Sequence, residues 1–198
     1  MINRMFSRTA VLIAAGAMIG FAAPARAQDN EYTAPLTELA NGKLRDIAQN
    51  PVLVSAILAQ NEQTAGYDEG KIDELDKQWR AEVDAADKPL ISATLDTEAS
   101  KYLASAQSDS AGLFTEIFAT DAKGLNVAQS TITSDYWQGD EDKFSKSFGV
   151  GADAVFLGEI EQDESTQAYQ SQVSITITDP ATGAPIGSIT AGIDLSSL

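Results

Sequence analysis

Neither cysteine nor histidine occurs anywhere in the 198 residues. Without cysteine the chain forms no disulfide, holds no thiolate-bound cluster and offers no thiol nucleophile. Without histidine it lacks the usual general base near neutral pH and the commonest zinc ligand. Most hydrolytic and redox chemistries go with these two absences. Neither G-x-S-x-G nor S-x-x-K is present, so serine-nucleophile chemistry has no support in the sequence either. Positive charge is also scarce: 13 Lys and Arg stand against 29 Asp and Glu, a formal net charge of −16. Such a surface repels nucleic acid and anionic lipid. Disorder does not explain the acidity, because 43% of the residues are hydrophobic.

What is present begins with a leader. Arg4 and Arg8 give a basic start, an uncharged run follows over residues 10–23, and Ala25-Arg26-Ala27 closes it. A short apolar run with an Ala-x-Ala end is the pattern of a cleaved secretory signal. The run is about 14 residues, against the roughly 20 that a spanning helix needs. Residues 1–27 are therefore expected to be removed and the protein to reach the periplasm; a retained anchor is the alternative. Loss of Arg4, Arg8 and Arg26 would leave 10 basic against 29 acidic residues, a net charge of −19.

Residues 28–112 read as a helical region. Leu36, Leu39, Leu44 and Ile47 recur at helical spacing, and Asn50-Pro51 fits an N-cap followed by proline at the first helical position. Leu53, Val54, Ile57 and Leu58 then share a face. The two segments could form one kinked helix or two consecutive ones. Asp68 can cap a helix whose stripe is Ile72, Leu75, Trp79 and Val83, with Asp73–Lys77 and Asp76–Arg80 as i, i+4 pairs on its wet side. Leu90, Ile91 and Leu95 form a short apolar patch, and Asp96 or Thr97 can cap a helix running to about Gln107.

From residue 113 the period changes. Residues 116–120 and 125–130 alternate, joined by Asp121-Ala122-Lys123-Gly124, a tight turn in which aspartate bonds forward and glycine accepts positive φ. Asp140, Glu141 and Asp142 stand at a helix start where the macrodipole favours acids, with Phe144 and Phe148 four apart beyond them. Three more strands are expected at 154–160, 169–178 and 187–195, the last two joined by a second turn, Asp179 to Gly183. The fold class is α+β: a five-stranded antiparallel sheet preceded by and covered with N-terminal helices, residues 28–198 forming one unit.

Two patterns invite chemistry and are outweighed. Gly149-Val150-Gly151-Ala152-Asp153-Ala154 matches GxGxxA, but it follows a helix and leads into a strand, the reverse of a dinucleotide-binding turn. The acids at 140–142 and Glu159, Glu161, Asp163 and Glu164 could hold calcium, yet they lack the spacing of a dedicated loop and read as a solvated surface. No metal and no cofactor is expected.

The phrases TDAKGLNVAQS, SDYWQGDEDKF, GEIEQDEST and ITDPATGAPIGSITAGIDL follow one another between Leu113 and Leu195. In that order they resemble the strands and connecting helix of a single Cache (PDC) sensor domain, an extracytoplasmic relative of the PAS fold. The resemblance implies a PAS-like sheet with a small-molecule pocket on one face, roofed by the helix after the second strand. The ligand classes it implies are amino acids, organic acids, amines and purine-like compounds. It makes Tyr136 and Trp137 the leading pocket residues, Asp140 a carboxylate for a cationic group, and Tyr169, Ser171 and Gln172 further lining residues. Most such domains lie between membrane segments. The expectation here is instead a stand-alone periplasmic module that presents its ligand to a membrane receptor or transporter, without covalent chemistry and with no nucleic-acid partner. A homodimer through the N-terminal helix is part of the same implication. The alternative is a structural or interaction protein that keeps the fold without a working pocket.

Overall fold

The computed structural model describes residues 31–162 and 168–198, so the expected leader lies outside it. Helix α1 (Thr33–Leu39) runs through a π-helical turn (Ala40–Leu44) into α2 (Arg45–Ala48). Asn50 is extended, its side-chain oxygen accepts the Val52 amide at 2.9 Å, and Pro51 opens α3 (Pro51–Thr64). The first two helical segments are thus consecutive helices broken at this cap. Asp68 caps α4 (Glu69–Val83) and Thr97 caps α6 (Glu98–Ser108), each by accepting an amide three residues on. Between them α5 (Pro89–Leu95) has no cap of its own, and the buried Glu82 carboxylate accepts the Leu90 and Ile91 amides instead. That supplies from the neighbouring helix what the N-terminal donors need.

The strands are β1 (Phe114–Asp121), β2 (Asn126–Gln129), β3 (Val155–Leu157), β4 (Glu161–Gln162), β5 (Tyr169–Thr178) and β6 (Pro185–Asp194). A four-residue helix, α7 (Asp142–Ser145), precedes β3. The sheet order is β2-β1-β6-β5-β3, antiparallel throughout, and the two-residue β4 also pairs with β5. This is the expected five-strand antiparallel sheet with a short sixth strand added. Both expected turns are made. Asp121 accepts the Lys123 and Leu125 amides, and Gly124 and Gly183 take φ of +81° and +73°.

Alternation gives the sheet two unlike faces. On one, Ile117, Ala119, Val173, Ile175, Ile177, Ile189, Ala191 and Ile193 meet Leu36, Leu44, Leu53, Ile57 and Leu103 of the helices. Each of the Val, Leu and Ile side chains contributes roughly 1.5–3 kcal/mol by leaving water, which makes this layer the main source of stability. On the other face lie Phe118, Thr120, Ser174, Thr176, Ser188 and Thr190, equally buried but mostly polar. A second apolar cluster of Trp79, Ile91, Leu125 and Tyr136 ties α4 and α5 to the β1–β2 turn.

Candidate functional site

The polar face is covered by the chain between β2 and β3. Residues 136–138 lie along the free edge of β2: the Asn126 amide donates to Tyr136 O at 3.0 Å, and the Gln138 amide to Gly124 O at 2.8 Å. The crossing is close enough that a Cβ on Gly124 would lie 2.7 Å from the Gly139 backbone. Helix α4 holds the same segment from outside. Asp76 accepts the Tyr136 and Trp137 amides at 2.9 and 3.0 Å, and its other oxygen accepts Arg80 Nε at 2.7 Å. Arg80 also reaches Asp135 at 3.3 Å. Burial alone would raise the Asp76 carboxyl, but the bonds from Arg80 and the two amides outweigh it and hold the group below its ordinary value. The Asp76–Arg80 pair expected on the wet side of α4 is therefore half turned inward, as an anchor for this roof.

Beyond α7 the roof comes down on the sheet. Lys143 Nζ lies 5.4 Å from the Phe118 ring centroid, and Thr176 Oγ1 donates to Gly151 O at 2.7 Å. The glycines of the GxGxxA match are the connection from α7 into β3. At the open end of the polar face is a cleft of about 270 Å³, lined by Glu116, Glu141, Lys143, Glu159, Glu161, Gln170, Ser171 and Gln172. Gly192, which pairs with both Glu116 and Gln172, has no side chain to fill its floor. Lys143 is committed to Glu141 at 2.9 Å, and Gln172 Nε2 donates to Glu116 at 3.2 Å. Four carboxylates thus face one ammonium, and among the described residues Glu116, Glu159 and Glu161 enter no ion pair. The cleft attracts positive charge. No group of three or more acidic residues is placed to hold a metal ion among the described residues; Asp163 and Glu164 lie outside them.

The residues expected to line a pocket do not all come together. Ser171 and Gln172 reach the cleft, Ser171 with its hydroxyl donating to Gly158 O at 3.0 Å. Tyr136 is 7% exposed and stacks on Trp79 with ring centroids 5.2 Å apart, in the second apolar cluster. Burial, with Asp121 adding to it, pushes its hydroxyl well above the ordinary tyrosine value. Trp137 packs beside it and donates its indole N–H to Lys123 O at 2.8 Å. The physical reason is tertiary: the 136–138 segment pairs with β2 and its amides bind Asp76 of α4, and together these draw both rings toward α4 and the turn. Asp140 is exposed, within electrostatic reach of Arg80, and Glu141 rather than Asp140 stands at the start of α7. Tyr169 is 54% exposed at the start of β5. Nothing in the sequence singles out Lys143 or Gln170, and Glu141, Glu159 and Glu161 stand there only as outweighed calcium ligands; Glu116 is a further lining residue. For Glu116 a signal existed, since the alternation of β1 puts this charge on the same face as Phe118.

Deeper under the roof is a cluster of side-chain amides: Asn126, Gln129 and Gln138, none more than 1% exposed. Asn126 Nδ2 donates to Thr133 Oγ1 and Asp135 O at 2.9 and 3.0 Å, and more weakly to Gln129 Oε1 at 3.3 Å. Gln138 Nε2 donates to the same Asp135 carbonyl and to its carboxylate.

No family model and no curated protein matches this sequence. Solved structures do. The sensor domain of the Vibrio cholerae histidine kinase DctB aligns at a TM-score of 0.40 and 17% identity, over 85% of this chain and 59% of that one. The ligand-binding domain of the Pseudomonas aeruginosa amino acid chemoreceptor PctC, solved with GABA, aligns at 0.41 and 15%, over 81% and 62%. The extracellular domain of the histidine kinase vpHK1S-Z8 aligns at 0.41 and 10%, over 84% and 53%. The chain spans between about half and three fifths of the length of these domains, and at such values they lend it neither a ligand nor residue roles. The solved structures that this chain is similar to are the sensor and ligand-binding domains of histidine kinases and chemoreceptors, which are Cache-type domains.

Proposed function

We propose that this protein is an exported small-molecule-binding sensor module of the Cache type, acting in the periplasm without covalent chemistry. The observation that carries the reading is the cleft at the open end of a buried, polar sheet face. A fold that needed only stability would fill that face with aliphatic side chains, as it fills the other. The ligand class we assign is an amine-bearing small molecule, because Glu116, Glu159 and Glu161 enter no ion pair among the described residues. Lys143 with Glu141 closes one side of the cleft, and Gln172 orients Glu116. The module would present its ligand to a membrane receptor or transporter, and pairing of two copies through the N-terminal helices is compatible with that role.

The test is a thermal-shift screen of the purified protein against amino acids, amines, organic acids and purines, followed by titration calorimetry. A ligand at 100 times its Kd stabilises the protein by roughly 2.7 kcal/mol. Amines should shift the midpoint and organic acids should not. Glu116→Gln should weaken an amine about tenfold, the equivalent of roughly 1.4 kcal/mol. If no compound in any class shifts the midpoint, the binding role is lost. The structural reading then stands in its place, and the close packing of Tyr136 and Trp137 favours it.

A further inference from the structure

We propose that Asn126, Gln129 and Gln138 form an enclosed polar subsite beneath the roof for one neutral group that donates two hydrogen bonds and accepts one. A primary carboxamide at the end of a ligand has that pattern, and so does a water molecule held in its place. The inference rests on the reading of this sheet face as the binding face.

Three buried side-chain atoms carry it: among the described residues, Asn126 Oδ1, Gln129 Nε2 and Gln138 Oε1 have no hydrogen-bond partner. Buried polar atoms in folded proteins are almost always paired, so three orphans in one network mark a missing occupant. Reorienting the amides does not cure them. Asn126 Nδ2 faces three oxygens, so exchanging its nitrogen and oxygen would set Oδ1 against the Asp135 carbonyl and Gln129 Oε1. Gln138 Nε2 faces two oxygens of Asp135, and the same exchange would turn its carbonyl toward a carboxylate. The single Thr133 hydroxyl proton goes to the Asp135 carbonyl at 2.7 Å, so the Gln129 orientation is set by Asn126 Nδ2 at 3.3 Å: exchanging the Gln129 amide would turn its nitrogen toward that donor, and its nitrogen is left over. The orientations are fixed by their neighbours, and the unmet set is acceptor, acceptor, donor.

The complement of that set excludes charged groups. An ammonium cannot accept and a carboxylate cannot donate. The subsite therefore selects differently from the acidic cleft, although both lie on one sheet face. Gln129 pairs in register with Phe118, whose ring lies under Lys143 of the cleft wall, so the two adjoin. A ligand with an ammonium at one end and a carboxamide at the other would satisfy both.

The test is a crystal structure of the protein at about 1.5 Å resolution, where ordered waters are well defined, alone and with 5-aminopentanamide or hexylamine. Alone, one ordered density peak is expected within hydrogen-bond reach of Asn126 Oδ1, Gln129 Nε2 and Gln138 Oε1. The carboxamide should replace that peak and bind about tenfold tighter than hexylamine. A peak that persists in all three crystals also supports the subsite, with water as its occupant. Absence of density in every crystal, or amides that satisfy one another there, overturns it. The outcome is separate from that of the amine reading: failure of both compounds to bind sinks the cleft's ligand class and leaves the peak to be found or not.

Discussion

On one side of the sheet Ile117, Val173, Ile175 and Ile189 lie against apolar helices; one residue along the same strands, Phe118, Ser174, Thr176 and Ser188 lie under the roof. Both layers are buried, and they are held by different forces. The helix side gains from removing hydrocarbon from water, a contribution that adds up with area. The roof side must keep each hydroxyl paired merely to avoid a penalty: Thr120 with Ser188, and Ser174 with Thr190, each at 2.8 Å. Net stabilisation from such bonds is small. A sheet that spends one face on stability can leave the other polar, open at one end and available to a ligand.

The comparison can be broken most sharply on the helix side. Ile175→Ala leaves a cavity in a fully buried layer and should cost about 3 kcal/mol in urea unfolding. A cost under about 1 kcal/mol would mean that the helices do not pack on the strands as described.

A middle-sized effect is expected at the roof anchor. Asp76→Ala removes the acceptor of two backbone amides and should cost about 2 kcal/mol at neutral pH. Because the folded carboxyl lies below its ordinary value of 3.8, its contribution is fully present above that value and fades as pH falls through the lower, folded one. The gap between wild type and Asp76→Ala should therefore narrow in acid below about pH 4. A gap independent of pH from 7 to 3 would show that charge plays no part in the anchor.

The smallest effects belong to the hydroxyl pairs, and there the sign is informative. Thr120→Val alone strands Ser188 and should cost about 1 kcal/mol, whereas Thr120→Val with Ser188→Ala should return close to wild-type stability. If the double variant is as unstable as the sum of both singles, the two residues are energetically independent and the hydrogen bond between them does not couple them.

Much of this architecture is legible in the chain. Asn50, Asp68 and one of Asp96 or Thr97 are read as caps because their side chains can satisfy only nearby amides, and Asn50, Asp68 and Thr97 do so. The strands are legible for a similar reason, since period-two alternation is a local property. The site is legible only in part. Ser171 and Gln172 lie in the cleft, but nothing near Tyr136 and Trp137 says that Asp76, some 60 residues earlier, will take their amides and draw the rings toward α4. Glu82 is hidden in the same way, as a charged helix residue whose use depends on where Leu90 and Ile91 arrive. Sequence spacing reports what a residue can reach along its own element. The cleft is made where β1, β5, β6 and the roof converge, and that convergence is tertiary.

The path of residues 136–138 along β2 has a consequence for assembly. An uncovered strand edge is a row of free donors and acceptors on which another chain can grow. Here the β2 edge is already taken by the protein's own backbone, through the Leu125–Trp137 bridge and the bonds beside it. The opposite margin is broken into pieces of three and two residues, β3 and β4, too short to template a neighbour. Among the described residues, neither margin offers a long open strand edge on which a second copy could extend the sheet. Copies of this protein that meet at high concentration are expected to join through side chains on helices or loops, away from the strand edges that seed filaments.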